Sequence, residues 1–248
     1  MSGHSKWAGI KHKKAIIDAK RGKLFSKLVK EITISARDGG GDIAVNARLR
    51  QAIQKAKEAN VPADNIERAV KKGTGELPGV SYEDVVYEGY GPGGVAVLVE
   101  AATDNKNRSS AEIRRIFNDK NGNLAGSGSV SWQFTKKGVV LVSSKEIEED
   151  KLMTIVLDAG AEDLKEDDGV FEIITDIKDF EAVKKVLDDN NIKTESDEIT
   201  MIPKSYIKLD GSHAEQLLNL IEALDDQEDV QHVYANFDIP DEILQKHF

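Results

Sequence analysis

The chain has 248 residues, a formal net charge of −10, 40% hydrophobic residues and no cysteine. Its length calls for two or three domains rather than one, and the lack of cysteine removes disulfides, thiolate catalysis and cysteine-based zinc or iron–sulfur centres. No apolar run approaches a membrane span and no apolar secretory segment follows Met1, so a cytoplasmic protein without membrane contact is expected.

The acidic total hides a division of charge. Residues 1–75 carry 17 Lys and Arg against 7 Asp and Glu, whereas the remainder carries 17 against 37. The first thirty residues hold Lys6, Lys11, Lys13, Lys14, Lys20, Arg21, Lys23, Lys27 and Lys30 against the single acid Asp18. A cationic arm on an anionic body points to a polyanionic partner, with contact confined to the arm and its neighbourhood. The competing reading is a solvated, lysine-rich helical face.

In chain order, residues 4–12 read as irregular. From about Lys13 a helical period places Ile17, Leu24, Phe25, Leu28 and Ile32 on one face, running out near Arg37 before three glycines. A second helix is expected from about Ala44 to Ala59 with Val45, Leu49, Ala52, Ile53 and Ala56 inward. A third follows Pro62, with Ile66, Ala69 and Val70 inward, and ends at Gly73. These make a small basic helical domain over residues 1–76.

Beyond a Gly- and Pro-containing linker the pattern turns to strands. Val85–Gly89 and Val95–Glu100 read as strands, and Ser109-x-x-Glu112 as a capping box opening a helix through Phe117. Residues 122–129 read as loop. Strands over 130–135 and 139–143, with a hairpin at Lys136-Lys-Gly138, precede a helix ending at Gly160. Then come a strand at 170–175, a helix at 179–189 and a strand at 198–202, giving ββαβαβ. The tail adds a strand at 206–209, a helix capped by Ser212-x-x-Glu215 and a strand at 230–237. Joined to the ββα of residues 81–118, it completes a second set. The expected class is therefore α+β multidomain: the helical domain plus two ferredoxin-like sandwiches, one inserted in the other. The expected boundaries are 77–128 with 204–248 for the discontinuous domain and 129–203 for the inserted one.

Gly89-Tyr-Gly91-Pro-Gly-Gly94 matches the dinucleotide fingerprint, but it leads into the strand-like Val95-Ala-Val-Leu-Val rather than a helix. No dipole would face a phosphate there. His4 and His12 lack further ligands, so no metal is expected; they fit better as donors beside phosphate. Trp7 either staples the first helix or stacks on a base. Thr103-Asp-Asn-Lys-Asn-Arg108 precedes a helix N-terminus, where Lys106 and Arg108 either contact a phosphate or belong to a polar loop. The acids at Glu162-Asp and Glu166-Asp-Asp read as solvated surface. Ser127 and Ser129 lack a strand–elbow–helix setting. No enzyme, cofactor or small-molecule substrate is expected.

Several segments carry a resemblance over essentially the whole chain: Gly3-His-Ser-Lys-Trp-Ala, Lys11-His-Lys-Lys, Asp18-Ala-Lys-Arg-Gly-Lys, Asp64-Asn-Ile-Glu-Arg-Ala, Lys72-Gly-Thr-Gly, Tyr87-Glu-Gly-Tyr-Gly-Pro-Gly-Gly-Val-Ala, Thr103-Asp-Asn-Lys-Asn-Arg, Gly128-Ser-Val and Ile202-Pro-Lys. They resemble the YebC/PmpR family, which implies an N-terminal helical domain and two α/β domains. It also implies a cytoplasmic DNA-binding transcriptional regulator, with translational activators among mitochondrial relatives and links to stalled ribosomes in bacteria. The family's usual proline between Gly41 and Arg48 is missing, leaving the interhelix turn open.

A non-enzymatic nucleic-acid-binding regulator is therefore expected, the alternative being a translation factor on ribosomal RNA. The expected contacts are His4, Lys6, Trp7, Lys11, His12, Lys13, Lys14, Lys20, Arg21 and Lys23, with Arg48, Arg50 and Lys55 as a second patch. Phosphate contacts give affinity without reading sequence.

Overall fold

A computed structural model describes residues 18–244, apart from 80, 168, 210 and 241; the side chains of residues 18–21 are not described. The protein is α+β, and the chain divides into two compact units. One is built on Trp132–Tyr206; the other takes the described chain up to Ser131 and from Ile207 onward.

In the second of these units, three helices lead: α1 (Asp18–Gly39), α2 (Ala47–Glu58) and α3 (Ala63–Gly73). Ile32, Ala36, Leu49, Ala52, Ala56, Ile66 and Ala69 form their buried core, as the helical period requires. Gly73 lets α3 approach α1, since a Cβ there would lie 2.3 Å from the Thr33 carbonyl oxygen. The turn between α1 and α2 differs from expectation. Asn46 caps α2 by accepting from the Leu49 amide (3.0 Å), and its amide donates to the Ser35 and Gly40 carbonyls. Helix α2 therefore starts three residues later, and Val45 is 78% exposed instead of inward.

The sheet of this unit has the order β3-β1-β2-β9, all antiparallel: β1 (Glu83–Tyr90), β2 (Ala96–Thr103), β3 (Asn123–Leu124) and β9 (Val230–Ala235). Helices α4 (Lys106–Asp119) and α7 (Gly211–Asp225) cover one face. The glycines of the fingerprint-like loop are explained by that packing. A Cβ on Gly89 would meet the Phe117 ring of α4 at 2.7 Å, and one on Gly91 would meet Leu217 of α7 at 2.7 Å. The expected strand at 206–209 is short. It is β8 (Ile207–Lys208), which pairs in parallel with β10 (Phe237–Asp238) outside the four-stranded sheet. Asn236 separates β9 from β10, its side-chain oxygen accepting the Ala96 amide at 2.7 Å.

The other unit is β4 (Phe134–Ser143), α5 (Glu149–Asp158), β5 (Ala161–Asp167), β6 (Val170–Thr175), α6 (Phe180–Asp189) and β7 (Thr194–Pro203). Its antiparallel order β5-β6-β4-β7 is the ferredoxin-like arrangement, with Val140, Val142, Leu152, Val156, Phe171, Ile173, Val183 and Leu187 as core. The element order is βαββαβ rather than ββαβαβ, for two reasons. Gly138 is a packing glycine inside a continuous strand, because a Cβ there would lie 2.4 Å from both Phe180 Cδ2 and Thr175 Oγ1. The expected hairpin does not form. The acids at 162–167 belong to β5, an edge strand whose charges guard an open side.

Candidate nucleic-acid interface

Of the expected contacts, His4, Lys6, Trp7, Lys11, His12, Lys13 and Lys14 lie outside the described residues. Lys20 and Arg21 lie in the first turn of α1. The others can be placed by their partners.

Helix α1 turns a row of lysines toward the C-terminal end of α7. Lys23 Nζ donates to the Asp226 carbonyl (3.3 Å) and Lys27 Nζ to the Asp225 carbonyl (2.7 Å). Lys30 Nζ donates to the Glu228 carbonyl (3.0 Å) and to the Asp229 carboxylate (2.7 Å). The spacing i, i+4, i+7 sets the three ammoniums on one face, and a helix C-terminus with added acids is the negative surface they match. Lys30 keeps only 14% of its side chain exposed. Three of the four lysines of α1 thus belong to an internal joint.

Asp229 is the centre of that joint, its side chain 1% exposed. Besides Lys30 it accepts from Ser109 Oγ (2.7 Å) and Arg108 Nη2 (3.1 Å). Burial alone would raise its pKa, but these three donors overcome it and hold the carboxyl down at about 2. The Asp229 carbonyl accepts the Ala102 amide (2.7 Å), and Gln227 bridges the Asp229 amide to Glu112. Three segments far apart in sequence meet at one carboxylate.

This joint gives the Thr103–Arg108 motif a different setting from a free phosphate site. Asn105, not Ser109, caps α4, accepting the Arg108 amide at 3.1 Å. Arg108 bridges Asp104 (2.7 Å) and Asp229, and Lys106 pairs with Glu83 (2.6 Å). Ser109 lies inside the helix and fully buried. Arg108 is held above its usual pKa chiefly by its hydrogen bonds to Asp229 and Asp104.

The expected second patch separates. Arg48 is bound by Glu31 (2.9 Å), Asp38 (3.4 Å) and Asp84 (3.1 Å). Burial pulls its pKa down, but Glu31 and Asp84 more than restore it. Arg50 donates to the Ile43 carbonyl (2.7 Å), pinning the exposed turn. Lys55 is exposed on the last turn of α2. Glu88 is a further organiser. Burial would raise its pKa, yet the amides of Val130, Gly128 and Ser131, donating at 2.7–2.8 Å, lower it and hold the 126–131 loop. Neither Asp229 nor Glu88 gave a sequence signal, because an acid facing remote donors looks like any surface acid.

Two compact α+β units, one of which joins its helical segment to its sheet at a buried carboxylate, define an α+β class with no membrane-crossing helix among the described residues. Residues 5–76 match the TACO1/YebC protein N-terminal domain, and residues 82–237 match the TACO1/YebC second and third domain. The chain belongs to this family. A probable transcriptional regulatory protein of Syntrophus aciditrophicus is 58% identical over 99% of both chains. One from Desulforapulum autotrophicum is 56% identical over 98% of both. The crystal structure of a conserved hypothetical protein from Aquifex aeolicus superposes with a TM-score of 0.82 at 47% identity, covering 93% of this chain and 96% of that one.

Proposed function

We propose that the protein is a non-enzymatic, cytoplasmic regulator of gene expression that binds nucleic acid through its basic N-terminal segment, with DNA as the partner in transcriptional control. The observation that carries the reading is the charge division: 17 cations against 7 acids in residues 1–75, on an otherwise strongly acidic chain. The names of the relatives support the transcriptional role. Because Lys23, Lys27 and Lys30 are committed to α7 and Asp229, the segment from Lys6 to Arg21 supplies the phosphate contacts.

Replacing Lys11, Lys13 and Lys14 together by Glu tests this. Binding to a DNA duplex, measured by fluorescence anisotropy across a salt series, is expected to weaken sharply, with the slope of log K against log salt falling by about 3. Unchanged binding would remove the arm from the mechanism.

A second reading, action on ribosomal RNA through the same segment, is favoured by one observation. Helix α3 follows α2 after a short turn, as a recognition helix would, but its first turn carries Asp64 and its Glu67 is paired with Lys71. An acidic leading turn is poorly suited to a phosphate-lined major groove. Ribosome cosedimentation compared with promoter footprinting at matched salt separates the two.

A further inference from the structure

The Lys72-Gly-Thr-Gly segment is not used by the arm, yet it borders a cavity of about 260 Å³ between α1, the end of α3 and the linker into β1. Arg37 and Lys72 supply two cations to its lining. Arg37 turns Nε and Nη2 to Asp38 Oδ1 (2.8 and 2.7 Å), which leaves Nη1 for another acceptor. Lys72 has no ion-pair partner among the described residues, and its stem lies along Gly79, where a Cβ would come within 3.2 Å. Lys30 Nζ, held by Asp229, lies 5.4 Å from the centroid of the Tyr82 ring in the cavity wall and steadies that ring.

The remaining walls are of another kind. Leu77 and the Tyr82 ring offer apolar and flat surface, and the Ser81 hydroxyl adds a polar group. A phosphate alone, a few water volumes at roughly 30 Å³ each, would leave most of this space unfilled. A phosphate at the cationic end with a ring against the apolar end fills both.

We propose that this cavity binds a nucleoside phosphate, taken either as a free nucleotide or as the phosphorylated terminal nucleotide of a strand. Arg37 and Lys72 hold the phosphate, and Tyr82 with Leu77 packs the base. The site is separate from the arm and does not depend on it.

Isothermal titration of the full chain with AMP, adenosine, inorganic phosphate and a 5′-phosphorylated trinucleotide tests the assignment. AMP is expected to bind at least ten-fold more tightly than adenosine or phosphate. Lys72→Ala and Arg37→Ala are each expected to weaken AMP about ten-fold, the low end for a charged hydrogen bond. Lys72 is exposed at a helix end, so its variant keeps the fold, which an unchanged melting temperature verifies. A trinucleotide that binds more tightly than AMP identifies a strand end; the reverse identifies a free nucleotide. The Lys11, Lys13, Lys14→Glu variant is expected to bind AMP as the parent does, so a failed arm and a failed cavity give different results. The proposal is overturned if AMP and the trinucleotide both fail to bind, if phosphate or adenosine alone binds as tightly as AMP, if Lys72→Ala leaves AMP affinity unchanged, or if the arm variant loses AMP.

Discussion

The sheet β5-β6-β4-β7 draws every strand from residues 134–203, whereas β3-β1-β2-β9 waits for its last strand until Val230. The contiguous sheet is organised around an apolar cluster with helices laid over one face. The split sheet has to bring β9 to β2 across more than a hundred residues, and there a buried carboxylate fixes the meeting point. Asp229 binds Lys30 of α1 together with Arg108 and Ser109 of α4, so the helical segment and the last strand are aligned by one group. Apolar packing is tolerant of small shifts, while a carboxylate shared by four directed donors, Thr103 Oγ1 at 3.3 Å among them, is not. Where segments are remote in sequence, the molecule places its directional contacts.

The largest expected effect sharpens this contrast. Asp229→Ala leaves Lys30 and Arg108 without their central acceptor and is expected to cost about 3–5 kcal/mol, read by chemical denaturation. The loss should concentrate in α1, α4 and β9, with hydrogen exchange in β4–β7 nearly unchanged; uniform destabilisation would break the comparison. The same group sets an acid limit. Its folded pKa of about 2 lies below the ordinary aspartate value of 3.8, so its contribution is complete above about pH 4. As the pH falls from about 4 to 2 the parent should lose about 2 kcal/mol that an Asp229→Asn variant does not lose.

In the contiguous sheet, Gly138→Ala drives a methyl group into Phe180 and Thr175 and is expected to cost about 1–3 kcal/mol in thermal or denaturant melts. An unaffected melt would mean that β4 is looser there than its packing implies. The smallest effect is expected for Arg48→Ala. Despite three carboxylate partners, the Arg48 side chain is 44% exposed, so stability should fall by under about 1 kcal/mol, and less at high salt.

Much of this architecture can be read from residue order. Helical spacing of Ile32, Leu49, Ala52 and Ile66 reveals the helical core, and alternation with β-branched residues reveals β2, β6 and the helices between strands. The readings that differ share a cause. Gly138 looks like a turn glycine because sequence does not show that Phe180 occupies the space above it. The β5 segment looks like surface because an edge strand carries charges. Ser109 looks like a cap, since its spacing to Glu112 fits one, while Asn105 takes the cap and Ser109 turns to Asp229. At the candidate interface, the sign of the charge is legible but its availability is not. Lys27, Lys30, Arg48 and Arg108 are cations each held by at least one acid 17 to 199 residues away.

Strand β9 and the carboxylate beside it are made after every strand of the other sheet, and this has a consequence for a chain made from its N-terminus. The sheet of residues 134–203 has all its strands while β2 still lacks its outer neighbour and the α1 lysines lack α7. A nascent chain therefore carries more uncompensated positive charge than the finished protein. Adding the segment from α7 onward turns the lysines of α1 into a joint, so a chain truncated before α7 should adhere to polyanions more strongly than one that includes it.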